Sequence, residues 1–113
     1  MQAAFRFRRQ SCRPLWDASV ELSAVPALVP SVRSDKAVVD TLAPELLRAI
    51  VLGVTRAYSS IAGLQPLCIT VVGAKDHSGT SSELAFKTCA EGATYHLLGF
   101  PDRAPPSGVQ AEA

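Results

Sequence analysis

The sequence predicts an α+β domain: one long amphipathic helix packed on a three- to four-stranded antiparallel meander, followed by a disordered C-terminal tail. Three observations carry that expectation. Apolar residues recur at helical spacing through residues 44–62. Alternating or β-branched runs stand on both sides of that segment. Residues 101–113 are Pro, Ser, Gly, Ala and charge with no apolar period.

The chain has 113 residues, 48% of them apolar and 19% charged, with a formal charge of +1. That is one domain of ordinary globular composition. It excludes a collagen-like fibre and a wholly disordered chain. A charge so near zero gives no global attraction to nucleic acid or membrane. We divide the chain into a basic leader (1–16), a folded body (17–100) and the tail (101–113).

In the body, Val20 and Leu22 alternate with Ser19, Glu21 and Ser23, which predicts a strand over 17–25. Pro26 and Pro30 bracket a stiff linker. Ser34 and Asp35 are candidate caps for a short helical turn through Val38 and Val39. The long helix follows. Pro44 fits its first turn, and Glu45 there favours the helix dipole. Leu47, Ile50, Val51, Val54, Tyr58 and Ile61 form its stripe, and Gly63 and Pro66 end it. Gly53 weakens its middle and permits close approach of another backbone. The run L-C-I-T-V-V over 67–72 predicts a strand. Two more are expected over 84–89 and 94–98, hinged at Glu91 and Gly92, with Leu84, Phe86, Tyr95 and Leu97 on the core face.

Residues 1–16 hold Arg6, Arg8, Arg9 and Arg13, with no acid, interleaved with Phe5, Phe7, Leu15 and Trp16. The remaining residues carry seven basic and ten acidic groups. The leader's composition fits a mitochondrial-type presequence, a flexible basic arm, or an edge strand over 4–8. The expected compartment is therefore the mitochondrial matrix or the cytoplasm. The most apolar window, 46–62, contains Arg48 and Arg56 and is too short and too charged to span a membrane.

The three cysteines, Cys12, Cys68 and Cys89, lack zinc-ligand spacing. We expect reduced structural thiols, with a Cys68–Cys89 disulfide as the alternative. The segment 73–80 has glycines and Lys75, but not the Lys-Ser/Thr pair of a phosphate loop. Asp76, His77 and Ser78 are the residue types of a hydrolytic triad, yet neighbours in sequence cannot easily align as nucleophile, base and orienter. His96, on the outer sheet face diagonal to Cys89, would be a polar side chain facing water rather than an activator of that thiol. Neither a cofactor nor a metal is implied.

The expected function is a non-catalytic interaction or assembly subunit, docking to itself as a homodimer or to a larger protein through its sheet face or helix flank. Leu46 and Leu52 fall off the main helix stripe, and Val72 and Leu98 fall on the opposite sheet parity. These four are the candidate interaction residues, and the edges at 67–72 or 94–98 could accept a partner strand. A nucleic-acid partner is disfavoured. The alternative is a small enzyme or ligand-binding protein using Asp76, His77 and Ser78.

Overall fold

The computed structural model describes residues 1–9, 16–104 and 110–112. Among these, the elements run β1 (Gln2–Arg9), β2 (Trp16–Pro26), β3 (Ser31–Ser34), α1 (Lys36–Thr41), α2 (Pro44–Ser59), β4 (Leu67–Asp76), α3 (Glu83–Leu97), a 3-10 turn at Pro101–Arg103, and β5 (Gln110–Glu112). The fold is α+β, as expected. Its sheet is mixed, with β3, β4, β2 and β1 side by side in that order and the short β5 along the far edge of β1.

An all-antiparallel meander is not what forms. β1 pairs β2 and β2 pairs β4 antiparallel, but β3 pairs β4 parallel, because the chain crosses between them through α1 and α2. The strands expected over 84–89 and 94–98 are instead the single helix α3. Ser82 caps it by accepting a hydrogen bond from the Ala85 amide at 3.2 Å. Gly99 stops it at φ +86°. Its buried positions include Phe86, Cys89, Ala90, Ala93 and Leu97, a three- and four-residue spacing. Glu91 and Gly92 lie inside the helix, Leu84 is 56% exposed, and Tyr95 is half-buried.

The N-terminal segment takes the strand reading. Phe5 pairs with Val20 and Phe7 with Ala18 across β1 and β2. Both phenylalanines are 2% exposed, so this is a core strand and not a free arm. The alternation of Phe5 and Phe7 with Arg6 and Arg8 is the two-residue period of a sheet with one wet face. Cys12, Arg13 and Leu15 lie outside the described residues. So do 105–109 and 113 of the expected tail.

Ala18, Val20, Leu22 and Ala24 of β2, with Leu67, Ile69 and Val71 of β4, meet the helices on the inner face. α2 buries Ile50, Gly53, Val54 and Ala57 against α3 and the sheet. Gly53 lies so close to the Lys87 carbonyl oxygen that no side chain fits there. Cys68 and Cys89 are both free thiols. Among the described residues no helix is long and apolar enough to cross a membrane.

Candidate functional site

On the outer sheet face, no described helix covers β1, β2 and β4. Strand parity there selects polar side chains: Arg6 opposite Ser19 and Arg8 opposite Asp17, and Ser19 opposite Lys75. Asp17 sits at the rim where β2 begins. Arg6 grips it with two parallel hydrogen bonds, Nε to Oδ1 and Nη2 to Oδ2, both 2.7 Å. Arg8 Nε adds a longer contact at 3.6 Å. Arg6 holds the Asp17 carboxyl below its ordinary pKa, against the opposing effect of burial.

β4 ends beside this rim in the segment from Asp76 to Ser82. Asp76 Oδ1 accepts from the amides of Ser78 (3.2 Å) and Gly79 (3.0 Å) and from the Ser78 hydroxyl (3.0 Å). Its Oδ2 accepts from the Ser81 amide at 3.1 Å. Gly79 makes the turn at φ +74°. The Ser81 hydroxyl in turn accepts from the Asp17 amide at 2.9 Å. The carboxylate of Asp76 thus organises the loop that carries His77.

Asp76, His77 and Ser78 do not form a relay. Asp76 bonds Ser78 directly, while His77 points to β2, where Nε2 lies 2.9 Å from Ser19 Oγ. The Ser19–His77 contact was not visible in the sequence, because the two residues stand 58 positions apart. Only the strand pairing that sets His77 N on Asp17 O at 2.7 Å brings them together. His96, on α3, rests against the ring of the core residue Phe5, with centroids 5.1 Å apart, and not on the outer sheet face. Cys89 is fully buried, and desolvation pushes its thiol up to about 12. That removes the thiolate activation a Cys–His pair needs. Among the described residues no group of three His, Cys, Asp or Glu could hold a metal ion.

The four candidate interaction residues do not converge. Leu46 and Leu98 are half-buried against the core. Leu98 follows a helix, so a sheet parity does not apply to it. Val72 is the extra residue of a β-bulge, where Glu21 pairs with Gly73 and Leu22 with Val71. Leu52 is 50% exposed on the flank of α2. The strand 67–72 is an inner strand with neighbours on both sides, and 94–98 is helical, so neither offers an edge.

Sequence reasoning missed the opposite end of the sheet. There β2 gives way to the linker 27–30, tied to the start of β4 by Ala27 N on Pro66 O at 3.0 Å. Leu28 is 98% exposed, Val29 67% and Val25 56%. Beside them Pro30, Tyr58, Ser59, Ile61, Gly63 and Leu64 line a cavity of about 240 Å³ and mixed polarity. The signal was present as P-A-L-V-P, an apolar triplet locked between two prolines.

No family model matches the sequence, and no curated protein is significantly similar to it. The fold is similar to a crystal structure of a protein from Thermus thermophilus, with a TM-score of 0.67 and 20% sequence identity. The likeness covers 82% of this chain but only 14% of that one.

Proposed function

We propose that the chain is a non-catalytic interaction module that docks onto a larger protein through the apolar end of its sheet. The observation that carries this reading is Leu28, almost wholly in water at the tip of a linker stiffened by Pro26 and Pro30. Single exposed leucines are common, but Leu28, Val29 and Val25 follow closely in sequence, next to Pro30 at a cavity of mixed polarity, and grouped exposed apolar side chains mark contact surfaces. The prolines limit the freedom the linker would lose on docking, which favours binding. The partner is a protein with an apolar pocket for Leu28 and Val29. The free Cys68 and Cys89 suit the reducing cytoplasm or mitochondrial matrix.

The test is sedimentation of the chain in extracts of its source cells. The reading expects wild type in a complex well above 11.9 kDa and a folded Leu28→Asp variant released to that mass. Wild type sedimenting alone would count against it.

A second reading, a small enzyme or ligand-binding protein, finds its support in the Ser19–His77 contact. It requires His77→Ala to abolish labelling of Ser19 by a fluorophosphonate, whereas a docking module tolerates that change.

A further inference from the structure

We propose that the trough between the free edge of β3 and the flank of α2 holds an extended peptide of a partner protein, added to the sheet as a further strand. The inference goes beyond docking through Leu28 and concerns a different surface. β3 is the end strand of the sheet. Its parallel pairing sets Val32 opposite Ile69 and Ser34 opposite Val71, and Asp35 N reaches Val71 O at 2.9 Å. In such a ladder alternate residues bond to the neighbouring strand. Ser31, Arg33 and Asp35 therefore turn their main-chain groups toward β4, and Val32 and Ser34 turn theirs outward. Among the described residues nothing takes up that outward set.

α2 runs beside this edge in the opposite direction. Ser34, at the end of β3, shares a cavity of about 500 Å³ with Pro44, Leu47, Arg48 and Val51 from the first half of α2. Pro30, just before β3, shares the cavity of about 240 Å³ with Tyr58 and Ile61. From Pro30 to Ser34 is about 13 Å of strand, and from Leu47 to Tyr58 about 16 Å of helix. The two cavities are thus the ends of one trough. Unpaired main chain forms one wall, and the half-buried Leu47, Val51 and Tyr58 form the other.

These walls select the occupant. A helix has no free main-chain groups to offer a strand edge, whereas an extended peptide does. Side chains of the added strand alternate, so one at position i and another at i+4 both face α2 and fall at the two cavities. An apolar side chain fits the larger one, against Leu47 and Val51. Arg48 is exposed at that cavity and makes no hydrogen bond or ion pair among the described residues. It accepts a carboxylate from the peptide. β3 is only four residues long and carries the exposed Arg33, which discourages open-ended strand pairing and suits one short segment.

The test selects phage-displayed random octapeptides on the folded chain and measures the synthetic winners by fluorescence anisotropy. The proposal expects winners that combine an apolar residue with a nearby Asp or Glu. Their binding should slow amide exchange at Val32 and Ser34, read by NMR. N-methylating the peptide amides that face β3 should weaken binding about tenfold or more, and N-methylating the alternate set should leave it unchanged. Arg48→Glu should lose the acidic peptide and bind its lysine counterpart. Val51→Glu, with its fold checked by circular dichroism, should abolish binding, whereas Leu28→Asp should leave it intact. A selection without winners overturns the proposal. So does a winner that leaves exchange at Val32 and Ser34 unchanged, or one released by Leu28→Asp and kept by Val51→Glu.

Discussion

The ring of Phe5 in β1 lies against the backbone of Gly92 in α3 so closely that a methyl group on that glycine would sit 2.5 Å from ring Cε2. The first strand and the last helix are thus fitted to each other. Gly92→Ala should therefore destabilise the protein, although alanine is the better helix former. Overpacking costs about 1–3 kcal/mol and the propensity gain is about 1 kcal/mol, so we expect a net loss of about 1 kcal/mol in urea unfolding. Gly53→Ala should cost more, because it meets the Lys87 main-chain carbonyl, which cannot rotate away as a side chain can.

Because Phe5 and Phe7 are core residues, the N-terminal segment is needed for stability. Phe5→Ala should cost about 3–5 kcal/mol, the usual range for emptying a buried aromatic site. Deleting residues 1–9 should leave a chain without cooperative thermal unfolding. A truncated chain that melts like the full one would show that β1 contributes nothing to the core.

Asp17 makes stability depend on pH in one direction. Its carboxyl is held below 3.8 in the folded state, first by the Arg6 hydrogen bonds. The folded state therefore binds that proton more weakly than the unfolded state. Its contribution is complete above the unfolded value of 3.8 and is lost as pH falls through the lower folded value. Urea midpoints of wild type and Asp17→Asn should differ at pH 7 and converge in strong acid. An equal gap at both extremes would mean that Asp17 acts through packing alone.

The thiols should separate by burial. In the folded protein with Cys12→Ser, iodoacetamide at pH 8 should modify the half-exposed Cys68 and leave Cys89 intact, since burial lifts the Cys89 thiol to about 12. Denaturant should expose both, and mass spectrometry of the digested chain reads the difference.

The elements legible in the sequence were those whose own period was unambiguous. The stripe from Leu47 to Tyr58, opened by Pro44 and closed near Gly63, gave α2. The alternation at Val20 and Leu22 gave β2, and L-C-I-T-V-V gave most of β4. α3 was misread because its buried face is built from small residues. Ala85, Ala90, Gly92 and Ala93 leave Leu84, Phe86, Tyr95 and Leu97 as its conspicuous apolar residues, and those alternate like a strand. Ser82 and Gly99 were the boundary signals that could have corrected it. β1 was hidden by composition: arginine without acid resembles a presequence, yet here Arg6 and Arg8 are the solvent side of a strand and pair with Asp17. The site was the least legible part. Asp76, His77 and Ser78 are adjacent in sequence but their partners are set by sheet register, which sends His77 to Ser19.

Docking through the apolar end is tested most directly by a photo-crosslinking amino acid at position 28, compared with the same group at Val39, which is 50% exposed on α1. In source-cell extract, position 28 should give one protein adduct of discrete mass, suppressed by Val29→Asp, and position 39 should give none. No adduct at position 28, or the same faint smear from both positions, would contradict the account.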